Sequence, residues 1–434
     1  MKGTLFLLLL PGVLIPHLVS AESSTGGGIF EELLHRRLRE SVPYRQAALD
    51  RRSAELELKQ LGISPLPYID VSTDGRGLLF EDGEMQTYEL HPGLTWTNIL
   101  GTDIRISSPV RFEQESLLSS LRLNASRKVF PETGIKKTEA QATLLRAKEK
   151  EERAFMDARQ NLLEEILQGY LSEQRLILNR KNLRILEKEL EAAVEKDTIR
   201  SLEQSILSAK RRILQSEQEL ENIDPSIGEH ISRLYKQGVV YTEKCLEELP
   251  EQRWSPENSL TTTAQEHTLA AAEQKKGHRY RVYLPNPEVQ LGIEYDLYEN
   301  DMSWNVSVEF SAPLLDRGER AYEVFRRKEQ PEIERLKLQE SFRSLTEEYR
   351  QIRSRLELLE YDKRLQKYSI EDAIEEEEYT ERMYRGGFIN EEAYISAKLD
   401  RKQSELEMKE IEHSLILQKL QLLRMFTLSG GNNG

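Results

Sequence analysis

Two hydrophobic periods run along this chain, and each occurs twice. Within residues 284–320 the period is two. Val289, Leu291, Ile293, Tyr295 and Leu297 alternate with Gln290, Gly292, Glu294 and Asp296. After Glu299-Asn300-Asp301 the alternation resumes, with Met302, Trp304, Val306, Val308 and Phe310 set against Ser303, Asn305, Ser307 and Glu309. A strand with that spacing carries all its apolar side chains on one face, so the stretch predicts a strand pair. An earlier segment repeats the feature. Leu66-Pro67 matches Leu284-Pro285, and Ile69, Val71 and Thr73 face away from Asp70, Ser72 and Asp74. The chain then makes a longer excursion through Gly83, Pro92 and Gly93. It returns with Leu94, Trp96, Leu100, Ile104 and Ile106 on one face. Ser107-Ser108-Pro109-Val110 closes the first copy as Ser311-Ala312-Pro313-Leu314 closes the second. The sequence is an internal duplication: helix, strand, strand, long helix, twice over.

The second period is helical. Leu176, Leu183 and Leu190 recur at sevens with Leu186 and Ala193 between them, and Phe342, Leu345, Tyr349, Ile352, Leu356 and Leu359 step by three and four. Both patterns are of coiled-coil type. A helix from about Pro331 to Arg385 would be roughly 80 Å long at ~1.5 Å per residue, too long for a compact globule. Glycines in Arg385-Gly386-Gly387-Phe388 end it, and Asn390 is the expected cap of a returning helix with Leu399, Leu406, Ile411, Leu415 and Leu422. Pro131 and Pro331, each some way after its strand pair, are expected to kink or delay the long helices.

The resulting division is a leader (1–21), a first helical segment (22–65), a first strand pair (66–110) and a long helical hairpin (111–222). There follow a connector (223–259) broken by Pro225, Gly228, Gly238, Pro250 and Pro256, a further helical segment (260–283) and a second strand pair (284–313). A second long hairpin (314–428) and a disordered tail (429–434) complete it.

Composition narrows the function. The chain has 434 residues, a net charge of −14 and a charged fraction of 31%, with no basic face for neutralising phosphates, which argues against nucleic acid as a partner. Lys2, the apolar stretch from Leu5 and Val19-Ser20-Ala21 form a secretory signal peptide with cleavage expected after Ala21; the alternative is an uncleaved anchor helix. Cys245 is the single cysteine, so an intramolecular disulfide is excluded and an acylated N-terminal cysteine is not expected. The seven histidines are scattered, His413 reading as a packed or solvated residue. There is no phosphate-binding glycine loop, no nucleophile elbow and no Cys/His cluster. No enzyme activity, cofactor or metal is expected.

Strands of about nine to eleven residues with one apolar face suit a tilted bilayer crossing. On that reading Val289, Leu291, Ile293, Tyr295, Trp304, Val306, Val308, Phe310, Trp96, Ile104 and Ile106 face lipid. Glu288, Glu294, Asp296, Glu309, Asp70 and Asp103 then face a wet lumen. The alternative is a pair of half-buried hairpins on a soluble core. Four strands cannot close a membrane barrel, and open edges are not tolerated in hydrocarbon, so the membrane reading requires several copies to pool their strands.

The duplicated order, the Leu-Pro entries, SAPLLDRGER (311–320) and YRGGFINEEAYISAKLDRKQSELEM (384–408) resemble the TolC-type outer-membrane efflux proteins. The resemblance spans residues 30 to 428. It implies a homotrimer whose four strands per chain complete a twelve-stranded β-barrel in outer-membrane lipid. A periplasmic α-helical coiled-coil barrel would hang below, closed at its lower end. A periplasmic adaptor and an inner-membrane transporter would be the partners, and small molecules or secreted polypeptides the cargo. Residues Arg385, Gly386, Gly387 and Phe388 would form an adaptor-facing hairpin tip. Glu375, Glu376, Glu377, Glu378, Glu391 and Glu392 are candidates for an acidic lining of the tunnel mouth. The chain departs from the family at the first hairpin turn, from Ala192 or Ala193 to Gln204, which has no glycine. It departs again at Ala393 and Ser396, where some relatives place acidic rings. A periplasmic adaptor and a structural coiled-coil protein of the cell envelope are the competing readings.

Overall fold

The computed structural model describes residues 28–62, 67–72, 78–81, 84–99, 101–113, 116–247, 254–297, 300–310 and 317–428. The expected leader, Leu66, Thr73, Asp74, Gly83, Leu100, Pro250, residues 311–316 and the tail lie outside them. Helices α1 (Ile29–Glu40) and α2 (Val42–Gln60) lead into six strand segments. These are β1 (Tyr68–Ser72), β2 (Leu78–Glu81), β3 (Glu84–Ile99), β4 (Thr102–Ser107), β5 (Val110–Glu113) and β6 (Ser116–Lys128). Helices α3 (Thr133–Ala192) and α4 (Lys196–Glu221) form a first hairpin, followed by α5 (Pro225–Gly228) and α6 (Ile231–Glu247). Helix α7 (Leu260–Gly277) precedes β7 (Glu288–Asp296) and β8 (Asp301–Glu309), and α8 (Glu319–Arg385) and α9 (Glu391–Thr427) make the second hairpin.

The hairpins are long because their apolar stripes find partners along the whole length. Helices α3 and α8 have 60 and 67 residues, roughly 90 and 100 Å at ~1.5 Å per residue. Ile352 and Leu359 of α8, and Leu399, Leu406 and Leu415 of α9, are buried, as the heptad-like spacing predicts. The second tip turns through Gly387 at φ 74°, a left-handed conformation that favours glycine, and Asn390 Oδ1 accepts the Ala393 N–H at 3.1 Å. Helix α8 does not wait for Pro331. Arg317 and Gly318, at φ 51° and 88°, turn the chain so that the helix begins at Glu319, and Pro331 is buried inside it.

The main core lies where α1, α3, α6 and α9 meet, with Phe30, Leu34, Leu163, Ile166, Leu234 and Leu420 all buried. Gly169 lets α6 lie close on α3: a Cβ there would sit 2.5 Å from Ile231 Cδ1. A second cluster holds Trp254 against Ile352 and Met425, with the indole N–H donating to the Met425 carbonyl at 3.0 Å.

The strands form one antiparallel sheet in the order β1-β3-β4-β6-β7-β8, with β2 added to β3 and β5 bridging β3 and β6. This corrects two expectations. Four strands were expected, and the described residues hold eight segments, six of which lie side by side in the main strand order, with β5 following β4 in the same register against β3 and β6. A helix was expected from residue 111, but residues 116–128 are strand. Leu121, Leu123 and Ala125 alternate with Arg122, Asn124 and Ser126, and β6 finds ladder partners on both sides, in β4 and β7. The helix starts only past Pro131, which lacks an N–H for a ladder. The sheet is uneven. Gly93 and Glu294 lie in one register row, yet β3 runs on to Glu84 while β7 stops at Asp296. The β2/β3 hairpin therefore stands roughly 20 Å taller than β7/β8, at ~3.3 Å per residue.

Candidate functional site

Cross-strand register sorts the side chains of the sheet into two faces. Val289, Leu291, Ile293 and Tyr295 stand opposite Val308, Val306, Trp304 and Met302. On the other side of β7 they meet Arg127, Ala125, Leu123 and Leu121, and β4 adds Ile104 and Ile106 against Trp96 and Leu94. Every strand residue expected to face lipid thus shares one face; Phe310 lies just past the end of β8. Ile69, Val71, Leu121, Met302, Trp304, Val306 and Val308 on it are exposed. A surface with that much contiguous exposed apolar area marks a contact with lipid or with protein.

Residues expected to line a lumen share the opposite face, and it is an ordered polar surface. Arg105 donates to Asp70 at 2.8 Å across β3, and Arg122 donates to Glu294 at 2.8 Å, with the Ser120 hydroxyl at 3.0 Å from the same carboxylate. Two glycines make room for these links. A Cβ on Gly93 would lie 2.8 Å from Asp70 Oδ1, so the ion pair passes over β3 only because that position lacks a side chain. Over Gly292 the side chains of Asn305 and Asn124 approach from the flanking strands, at 2.5 and 3.3 Å from a built Cβ. Glu288 opposes Glu309, and Asp103 opposes Ser126, at the end nearest the helices. The sequence reading missed Arg105 and Arg122. The alternation of Leu121, Leu123 and Ala125 was the available signal for the strand that carries Arg122.

At the far end of the second hairpin, Arg385, Gly386, Gly387 and Phe388 are all exposed, and Tyr384 stacks on Tyr394 with ring centroids 5.6 Å apart. The first tip is Ala193-Val194-Glu195, with Val194 exposed. Glu377 is not a free lining group: Arg401 holds it at 2.6 Å. Glu375, Glu376 and Glu378 are exposed beside it, as is Glu391, while Glu392 is half-buried.

Between α3, α4 and α9 lies a cavity of about 710 Å³ lined by Glu164, Gln168, Arg175, Glu219, Glu410 and His413. Arg175 and Glu410 pair across its wall at 2.5 Å. His413 Nε2 lies 3.1 Å from the Tyr235 hydroxyl. Burial pushes its pKa down to about 4, Glu412 opposing and Lys409 adding to the shift. Among the described residues no group of His, Cys, Asp and Glu is arranged to hold a metal ion, and no helix is long and apolar enough to cross a membrane. Cys245 is half-buried, with Arg159 Nη1 at 3.7 Å from its sulfur.

No family model and no curated protein matches the sequence. Solved structures match nearly the whole fold. The outer membrane protein VceC of Vibrio cholerae is 12% identical with a TM-score of 0.54, over 93% of this chain and 97% of that one. The open-state outer membrane channel MtrE of Neisseria gonorrhoeae is 13% identical with a TM-score of 0.52, over 93% and 89%. The outer membrane channel CmeC of Campylobacter jejuni is 13% identical with a TM-score of 0.51, over 93% and 87%. At such identities the likeness is one of fold, and the chain has the mixed helical and β-sheet fold of these channels.

Proposed function

We propose that the chain is a TolC-type channel of the outer membrane, giving small molecules or polypeptides passive passage out of a periplasmic pump assembly. The observation that carries this is the two-faced sheet. An exposed apolar surface backs onto an ion-paired polar one, and both stand on helical hairpins of bilayer-exceeding length. On this reading the apolar face meets lipid and the Asp70, Asp103, Glu288, Glu294, Asp296 and Glu309 face meets water. The protein does no chemistry. Its work is to hold an aqueous path through hydrocarbon, and a single open sheet cannot do so because its edges would leave backbone groups unpaired.

Three copies are proposed to close the wall. Support comes from the helices too: Val42, Leu49 and Leu56 on α2, and Leu358, Tyr361, Leu365 and Tyr368 on α8, form exposed apolar stripes suited to a neighbouring subunit. A periplasmic adaptor bridging to an inner-membrane transporter would engage the exposed tip at Arg385–Phe388. The exposed carboxylates Glu375, Glu376, Glu378 and Glu391 would then lie near the mouth. An adaptor reading is disfavoured by the two long hairpins in one chain, and a structural coiled coil by the apolar sheet face. Fractionation and planar-bilayer recording test the proposal. Heat-modifiable trimers in the outer-membrane fraction that conduct ions are expected; monomers confined to the soluble periplasm refute it.

A further inference from the structure

The wall supplied by one chain is wider than a four-stranded share. At the level where the sheet is continuous, β1, β3, β4, β6, β7 and β8 lie side by side. Both faces run across all six without a break. On the apolar face Ile69, Leu94, Ile106, Leu123, Ile293 and Trp304 are successive register partners. On the polar face the succession is Asp70, Gly93, Ser107, Arg122, Glu294 and Ser303. The first hairpin is joined to the rest by the Arg105–Asp70 ion pair, which spans β3 above Gly93. It is therefore neither a flap on the outside of the wall nor a plug beneath it. It is wall.

We propose that three copies close an eighteen-stranded barrel, with β8 of each chain pairing to β1 of the next, instead of the twelve-stranded barrel that the resemblance implies. This rests on the channel reading and goes beyond it. The occupant of each edge is a second copy of this chain because the two edges complement each other. β1 and β8 end the strand order and pair on one side only among the described residues. Every neighbouring pair in the sheet is antiparallel, and the path has an even number of crossings. β1 and β8 consequently run in opposite directions, and their union across a subunit boundary repeats the polarity of the other pairs. The apolar band also continues across it, since Ile69 and Val71 are 71% and 67% exposed at one edge and Trp304 and Val306 are 70% and 57% exposed at the other. With strands ~4.8 Å apart and tilted ~40°, eighteen strands give a backbone radius of roughly 18 Å, against about 12 Å for twelve. The cross-section roughly doubles. An exit of that size suits bulky hydrated cargo, such as a polypeptide carrying folded elements.

Disulfide mapping in intact outer membranes tests the closure. In a Cys245→Ser background, one cysteine is placed on the polar face of β8, at Ser303, Asn305 or Ser307. A second is placed either on β1, at Tyr68 or Ser72, or on β4, at Asp103 or Ser107. Oxidation is expected to link subunits through the β8–β1 pairs into covalent dimers and trimers, and to leave the β8–β4 pairs unlinked. Links from β8 to β4 overturn the proposal, because they mean that the first hairpin is displaced and four strands per chain close the ring. Trimers without links in either panel overturn it as well, and leave the channel reading standing. Soluble monomers without links remove both. As an independent readout, a fluorophore on Ile69→Cys is expected to be quenched by a lipid-soluble quencher as strongly as one on Val306→Cys; quenching at Val306 alone overturns the eighteen-stranded wall.

Discussion

Val306 and Asn305 are adjacent in β8 and point to opposite faces, which makes them a controlled pair. Val306 pairs with Leu291 in the apolar face, and Asn305 pairs with Gly292 in the polar one. Both sit near the middle of a nine-residue strand, so in a membrane they share nearly the same depth. Arginine at a lipid-facing position near the midplane costs about 2–4 kcal/mol, and next to none where it reaches lumen water. That difference is a roughly 30- to 700-fold change in the folding equilibrium of each subunit. Asn305→Arg keeps its charge in water, on the polar face beside Asn124 above Gly292. Refolding into phospholipid vesicles, with the urea midpoint followed by tryptophan emission, measures the difference. Val306→Arg is expected to lower the midpoint strongly, and the yield of heat-resistant oligomer with it, while Asn305→Arg stays near wild type. Equal effects, or a larger loss at Asn305, would refute the assignment of the two faces and with it the membrane role of the sheet.

Two further predictions concern the helices. Gly169→Val drives a side chain into Ile231 and Ile223, whose Cδ1 atoms lie 2.5 and 2.6 Å from a built Cβ, and should cost about 1–3 kcal/mol. Gly134→Ala in the same helix meets open space and should be neutral or stabilise by up to about 1 kcal/mol; similar thermal midpoints by far-ultraviolet circular dichroism would contradict the proposed close approach of α6. The buried His413 stays neutral down to about pH 4, below its ordinary 6.5, so the unfolded chain takes up this proton first. Its contribution to stability is therefore present at pH 7 and lost as pH falls from 6.5 through 4, by up to roughly 3 kcal/mol. His413→Gln should flatten this part of the pH profile of the urea midpoint, and an unchanged slope would refute the burial argument.

Where local pattern and tertiary role coincide, the sequence is informative. The strict alternation of β7 and β8 marks both strands and both faces, since period-two spacing is a local property. The heptad-like leucines mark α3, α8 and α9, and Asn390 after two glycines marks the cap of α9. Less of the first half can be read this way. Its alternation is interrupted by Pro92, Gly93, Gly101 and Pro109, so no single period survives the whole excursion. The segment from Ser116 to Lys128 borders a long helix and carries Arg122, Arg127 and Lys128, which obscure Leu121, Leu123 and Ala125. The Asp70–Arg105 and Glu294–Arg122 links depend on register between strands distant in sequence, and nothing local encodes them. Pro331 misleads for a related reason: tertiary burial lets a proline stay inside α8.

On the proposed channel reading, the mismatch in height between β2/β3 and β7/β8 shapes the outer rim. A ring of three such walls would have a notched crown, low wherever the short turn at Asn300 comes round and high in between. Anything settling over the mouth, whether a lipid sugar, a phage fibre or an antibody, would rest on the merlons and leave the gaps open. Outflow could then proceed sideways even from a covered mouth.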